Sequence, residues 1–382
     1  MSKPAILIAG GGIGGLTAAA ALAQAGFPVT VLEAAPEFGE IGAGVTLSPN
    51  AMRGFDFTGC MEAVAAAGVE PKRQRIQHWQ DGRALLTLER ADAREKYGAP
   101  YVYIHRADLH AILVETARKA GVTLRSGAQV VSSSGTAVTL ANGESVSGDV
   151  LVGADGLKSA IRDRFEPVKA HFTGHVAWRA VVPVTDALRP LVDWPGIHIG
   201  PGKMITRYPV RRSTLLNMVF FARQSGWQDD GWTIPAQPGE LRALYADWES
   251  EVQAMIAAAE AVPHFRWALN ARQPLNSWIA DGRVTLLGDA AHAMTPFLGH
   301  GAACAIEDAV VLARALTASA TPEEGLQRYQ AARIERTTFI QAESNANADR
   351  MQGQETDLFG LGELRNEETL GLFDYDCRTV AV

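Results

Sequence analysis

Cysteine is scarce in this sequence: three among 382 residues, at Cys60, Cys304 and Cys377. They lie far apart and form no Cys-x-x-Cys pair, which argues against both a disulfide framework and a cysteine zinc site. They read as reduced thiols of a cytoplasmic protein. No His/Cys/Asp cluster shows metal-ligand spacing, so no metal is expected. No apolar run reaches the roughly 18 residues that span a bilayer. Long Lys/Arg runs are also missing, and the formal net charge is −7. An acidic balance of that kind speaks against nucleic acid as a partner and against docking on an anionic membrane. No internal repeat or low-complexity tract occurs. The stretch from Lys3 to Gly15 lacks the long apolar centre of a secretory leader and carries glycines inside it, so it reads as a first strand.

What is abundant is glycine, 37 residues, above the roughly 7% of ordinary chains. Several glycines punctuate apolar runs. Ala5–Ala9 is a short strand followed by glycines; Leu16–Ala25 has helical length and composition, with Gly26 as its stop; Phe27–Leu32 is a second strand. Together they form a βαβ unit. Ala107–Ala120 predicts a helix ended by Gly121. Val122–Arg125, Gln129–Val131 and Asp149–Val152 read as strands, and Thr136–Val146 as a hairpin turning at Asn142-Gly143. Between Phe172 and Arg272 the pattern changes to alternating runs, such as Met204–Val210 and Leu215–Ala222, which predict an antiparallel sheet. Arg283–Leu287 is again a buried strand; helices are expected over Ala302–Ala318 and Glu323–Ala348. The fold class is therefore α/β with an α+β insertion. A Rossmann-like domain comes from 1–70, 100–170 and 276–320; a sheet domain comes from 71–99 and 171–275. A helical segment follows over 321–382.

Three motifs carry chemistry. Gly10, Gly12 and Gly15 make G-x-G-x-x-G between the first strand and helix. The first glycine permits the tight turn, the second lets backbone approach a pyrophosphate, and the third lets helix and strand pack closely. Glu33, at the end of the second strand, suits the diol of an adenosine ribose and disfavours a 2′-phosphate. Asp149–Gly156 runs from a buried strand into Gly-Ala-Asp-Gly. Leu286–His292 runs from a strand into Gly288-Asp289. Asp155 and Asp289 have an alternative reading as turn formers, and His292 reads as a core histidine.

With these three motifs in this order, the sequence resembles the class A flavin-dependent aromatic monooxygenases, the salicylate, 3-hydroxybenzoate and 6-hydroxynicotinate hydroxylase type. The resemblance covers nearly the whole chain. It implies FAD as cofactor and NADH or NADPH as co-substrate. It also implies a small aromatic substrate hydroxylated with O2 through a flavin C4a-hydroperoxide, in a cytoplasmic monomer or homodimer. Gly10, Gly12, Ile13, Gly14 and Gly15 match the pyrophosphate loop, and Glu33 with Ala34 the ribose end. Val130 belongs to the same cofactor set. Asp155 and Gly156 match the second motif, which serves FAD and the pyridine nucleotide; Gly288 and Asp289 match the third, at the ribityl chain. Arg106, at the start of a helix, matches an arginine that reaches the flavin. Gly42-Ala43-Gly44-Val45-Thr46 and Pro296 with Gly299–Ala302 match segments beside the flavin ring, Gly301 and Ala302 opening a helix there.

The catalytic candidates are His300, Tyr208, Arg207 and Pro296. His300 stands where relatives carry a polar residue; it either hydrogen-bonds the substrate hydroxyl or acts as its base, or is a helix-start histidine with no catalytic part. Arg207 replaces the histidine of the common His-Tyr-Pro and is a candidate for pairing a substrate carboxylate. Alternation along a strand means that Arg207 and Tyr208 should not both face the pocket. Trp178 and Arg179 read as structural. Thr46 replaces a histidine of the hydroxynicotinate type, which ranks N-heteroaromatic acids second; an epoxidase or N-hydroxylase on the same scaffold is a related alternative. A flavin-free NAD-dependent dehydrogenase is opposed by the second and third motifs. Trp232-Thr233-Ile234-Pro235 resembles half of the flavin halogenase signature, but Trp227 stands five residues upstream instead of two.

Overall fold

Ile6–Ala9, apolar and buried at every position, forms an inner strand of a six-stranded sheet. It pairs in parallel with Val29–Leu32 on one side and Val150–Gly153 on the other. Thr123–Arg125 and Val284–Leu286 extend the sheet in parallel, and Ile279–Ala280 closes one edge antiparallel. Continuous apolar strands are what a sheet covered on both faces requires. The register sets Ala9 beside both Leu32 and Gly153, and Gly153 beside Leu286. Strand ends from three distant parts of the chain therefore finish side by side. The computed structural model describes residues 3–39, 43–166, 168–227, 231 and 234–382. Gly42, and Trp232 with Thr233, lie outside the described residues.

Helix Ile13–Gln24 begins three residues before its predicted start, inside the glycine motif. Close packing is the reason. A Cβ on Gly15 would lie 2.1 Å from the carbonyl oxygen of Gly10. One on Gly14 would lie 2.6 Å from Leu287 Cδ2 and 3.0 Å from Ala305 Cβ. Residues Val130–Ser134, Ala137–Leu140 and Ser145–Ser147 form a small antiparallel sheet, so the predicted hairpin gains a third strand.

The middle of the chain builds an eight-stranded sheet. In spatial order its strands are 234–235, 265–271, 171–183, 215–223, 203–210, 196–200, 73–78 and 84–89. The two strands before residue 90 join the strands after 171 through a parallel pairing of 73–78 with 196–200. One face, with Trp178, Ile205 and Phe220, is buried with residues of helix Ser250–Glu260. The opposite face, with Met204, Val219, Phe221 and Trp267, packs with Phe297. A two-stranded ribbon, Gly44–Leu47 with Val102–His105, accompanies the two large sheets.

Helix Gly301–Ala318 is clamped to helix Pro322–Met351 by fully buried charges. Arg333 meets Glu307 at 2.8 Å and Asp308 at 2.7 Å. Arg336 adds a 2.9 Å contact to Glu307, which also accepts from Asn50 Nδ2 at 2.7 Å. His292 pairs with Asp308 at 2.6 Å, in keeping with a core role. The expected helical segment over 321–382 is helical only to Met351. Beyond it come short 3-10 turns, Thr356–Leu358 and Leu372–Asp374, where Gly353, Gly360 and Gly362 interrupt any apolar stripe. This tail packs on its own chain. Arg53 donates to the carbonyls of Phe373 and Tyr375, Arg314 donates to that of Cys377, and Cys377 is fully buried.

Burial would raise the Glu307 carboxyl, but Arg336 and Arg333 hold it at about 2. Its folded pKa is depressed, so its stabilisation is present above its ordinary 4.5 and is lost as pH falls toward 2. Glu307→Gln should cost about 3–5 kcal/mol at neutral pH, since it leaves buried Arg333 short of a partner. In denaturant titrations the deficit against the wild type should shrink as pH falls below about 4.5.

Candidate active site

The aligned strand ends open onto a cavity of about 480 Å³. One end is made of backbone. Gly12, Ile13, Gly14 and Gly15 line it together with Ala154, Gly156, Gly288 and Asp289. Gly10 adopts a φ of +109°, and a Cβ there would lie 2.2 Å from the carbonyl oxygen of Ala154. The turn therefore depends on glycine, as its place in the motif implies. No side chain caps the start of helix Ile13–Gln24, so its first N–H groups remain for an anion. A Cβ on Gly12 or Gly156 would meet nothing within 4 Å, which leaves room at both turns. These features fit the pyrophosphate and ribityl portion of FAD.

Several predicted cofactor residues stand outside the cavity wall. Glu33 accepts from Gly11 N at 2.7 Å and from Ala35 N at 2.8 Å, one through each oxygen. It fixes the glycine turn and keeps lone pairs for a ribose diol. Ala34 follows it, exposed. Val130 starts a strand of the small sheet opposite Leu140. Asp155 directs its carboxylate into its own loop, accepting from Ser159 Oγ, Ala160 N and Ile161 N. Burial raises its pKa, and its work here is to shape the turn that presents Gly156.

The middle of the cavity is flanked by two segments. Gly44, Val45 and Thr46 line one side, and Met294–Gly299 with Gly301 and Ala302 the other. Arg106 also lines the wall, its backbone N–H donating to Ala43 at 2.6 Å. Gly44 N donates to Asn217 Oδ1 at 2.8 Å, and a Cβ on Gly44 would lie 2.4 Å from Tyr208 Cε2. Only glycine lets the ribbon approach the eight-stranded sheet this closely. The start of helix Gly301–Ala318 has no side-chain cap and lies on the wall, so its positive end faces the middle of the cavity.

The far end is aromatic and apolar, with Ile76, Leu88, Met204, Val219, Phe221 and Trp267 beside Tyr101, Tyr103 and Tyr208. The Tyr103 and Tyr208 rings stack at 4.7 Å, and Tyr101 meets Tyr103 edge-on at 5.7 Å. Burial raises all three phenols, Tyr101 to about 12, so each remains a neutral hydroxyl at physiological pH. Tyr101 and Tyr103 were missed in the sequence; the signal available was their alternation just before Arg106. Arg179, read as structural, lines the cavity with its guanidinium 4.6 Å from the Trp267 ring, whereas its neighbour Trp178 is core.

Two catalytic candidates, His300 and Arg207, turn their polar side-chain groups away from the cavity. His300 is buried off the wall: its Nδ1 lies 3.1 Å from the Leu298 carbonyl and its ring stacks on Phe373 at 6.3 Å. The left-handed turn at Gly299, φ +68°, leaves the flanking glycine backbone on the wall and sends the His300 ring toward the tail. Arg207 touches the wall, but its guanidinium donates to Gln77, on the face away from the cavity. Burial lowers its pKa to about 10. Alternation decides this: Tyr208 faces the cavity and Arg207 does not. On that outer face His198, Glu249 and Glu251 bring ligand-type atoms within 4.8 Å of one another, a grouping that spacing in the sequence does not announce. Pro296 and Tyr208 stand on the cavity wall as expected. No histidine lines the cavity among the described residues, and none of their helices is long and apolar enough to cross a membrane.

Comparison with known proteins agrees with this geometry. The family described as FAD binding domain matches residues 3–344. A 3-amino-4-hydroxybenzoate 2-monooxygenase of Streptomyces platensis is 38% identical over 349 residues, 90% of this chain and 87% of that protein. A 3-hydroxybenzoate 6-hydroxylase of Aquipseudomonas alcaligenes is 36% identical over 382 residues, covering 97% and 94%. A solved salicylate hydroxylase in complex with its substrate superposes with a TM-score of 0.83 at 26% identity, over 98% of this chain and 96% of that one. From the glycine-lined cleft to the tyrosine-walled end, then, this chain belongs to the FAD binding domain family and is one of its FAD-dependent aromatic monooxygenases.

Proposed function

We propose that the protein hydroxylates a small aromatic acid or phenol of salicylate or hydroxybenzoate type, with NADH or NADPH and O2 as co-substrates. The observation that carries this reading is one cavity, backbone-lined where a dinucleotide fits and tyrosine-walled where a phenolic ring fits. Three hydroxybenzoate-type relatives support the substrate class. We read 1–70, 100–170 and 276–320 as the cofactor-holding part, and 71–99 with 171–275 as the substrate-holding part.

FAD, when bound, supplies hydride acceptance from the pyridine nucleotide and oxygen activation. The Gly10–Gly15 turn, Glu33, Arg106 and Asp289 would hold it, with Gly44–Thr46, Pro296–Gly299, Gly301 and Ala302 beside its ring. The apolar wall of Ile76, Met204, Phe221 and Trp267 excludes water from the reacting ring. Tyr103 and Tyr208, neutral and stacked, orient the substrate's polar substituents. Proton transfer from a substrate phenol is not assigned to His300, which the fold removes from the cavity.

Two measurements test the reading. In a panel of aromatic acids and phenols, NADH or NADPH oxidation should rise with one or a few of them, with the hydroxylated product exceeding released hydrogen peroxide. A panel that yields only peroxide would contradict the assignment. Asp289→Ala should raise the FAD dissociation constant about tenfold or more in a titration of flavin-stripped protein, on the order of one charge-assisted hydrogen bond; an unchanged dissociation constant would remove Asp289 from the cofactor set.

A further inference from the structure

One buried cation lies behind the cavity wall and has no place in the scheme above. Arg90 is 4% exposed, with its guanidinium 3.6 Å from Glu367, 3.4 Å from Glu368, and 5.0 Å from the ring centre of Tyr101. Its Nε donates to Gln74 Oε1 at 2.8 Å. Gln74 Nε2 in turn donates to the Tyr103 hydroxyl oxygen. Gln74 and Tyr103 both line the cavity.

The direction of this chain is fixed by its first member. A guanidinium donates only and cannot accept. Gln74 must therefore turn its carbonyl oxygen toward Arg90 and its NH2 toward Tyr103. The Tyr103 oxygen must accept, so its single proton points away from Gln74. Charge at the head of the chain polarises each later bond in the same sense.

We propose that Arg90, acting through Gln74, aims the Tyr103 proton into the substrate end of the cavity, so that the site selects a ring substituent bearing an oxyanion, carboxylate or phenolate. Arg90 and Gln74 are positioning residues; Tyr103 is the group that touches the substrate. Glu367, which also lines the cavity, does not repel such an anion strongly, because Arg90 pairs with it. This inference rests on the proposed substrate class and narrows it to anionic members.

The test uses calorimetric titration of the FAD-loaded protein with two probes, benzoate and its neutral analogue benzamide. The wild type should bind benzoate more tightly. Gln74→Glu keeps the Arg90 pair but presents acceptors alone to Tyr103, which must then turn its proton back. Tyr103→Phe removes the proton outright. Each should weaken benzoate about tenfold, as expected for a hydrogen bond to a charged group, and benzamide by less than about threefold. The double variant should be no worse than Tyr103→Phe alone, because both changes delete one interaction. Arg90→Lys, still a pure donor, should keep most of the selectivity, whereas Arg90→Gln, which can donate or accept, should lose it. Additive losses in the double variant would mean that the carboxylate introduced by Gln74→Glu acts by simple repulsion, and would overturn the proposal. Equal affinity of the wild type for the two probes would overturn it as well. A wild type that lacks anion preference yet hydroxylates a neutral phenol sinks this inference alone; absence of hydroxylation across the panel sinks the function.

Discussion

Backbone crowding at one sheet edge organises this molecule. Ala9, Gly153 and Leu286 end their strands in register, and the chain that follows Ala9 passes so close to its neighbours that Gly10 and Gly15 admit no Cβ. Gly10 abuts Ala154, and Gly15 abuts Gly10. The first helix can therefore point its uncapped N–H groups at the space above the strand ends. Parallel α/β sheets bind ligands beyond the carboxyl ends of their strands, and here the glycines are what keep that space open to the main chain. A larger residue at these positions would push the helix off the sheet and move every donor in the cleft.

The second organising force is electrostatic. Helix Gly301–Ala318 opens on the cavity wall while carrying two buried carboxylates. Arg333 and Arg336 neutralise them. Such clusters fix geometry more than they add net stability, and this one holds three helices in a single arrangement, since Asn50 ties a third helix to Glu307. Behind the substrate end, Arg90 sits in a comparable cluster with Glu367 and Glu368. In both places a buried arginine is held between two carboxylates.

The division of labour between the two faces of the eight-stranded sheet follows from strand geometry alone. Tyr208, Thr206 and Met204 take one face; Arg207 and Ile205 take the other. A residue's chemistry is then subordinate to its parity. Arg207 is chemically suited to a carboxylate, but its Nη2 donates to Gln77 on the far face. Tyr208, one residue on, is placed by the same alternation against the cavity and against Gly44.

The sequence by itself determined the strand–glycine–helix unit, the order of the three motifs, the antiparallel middle and the need for glycine at Gly10 and Gly15. Those depend on short-range rules: φ freedom, apolar periodicity and helix stops. It also foretold that Arg207 and Tyr208 would part company, because a strand alternates. Tertiary structure alone decided which of the two faces inward, that His300 turns under Phe373, and that the tail past Met351 packs on its own chain. Only tertiary structure could join Gln74, Arg90 and Tyr103, since two of them lie on separate strands and the third just beyond another, and no periodicity records a partner 16 or 29 residues away.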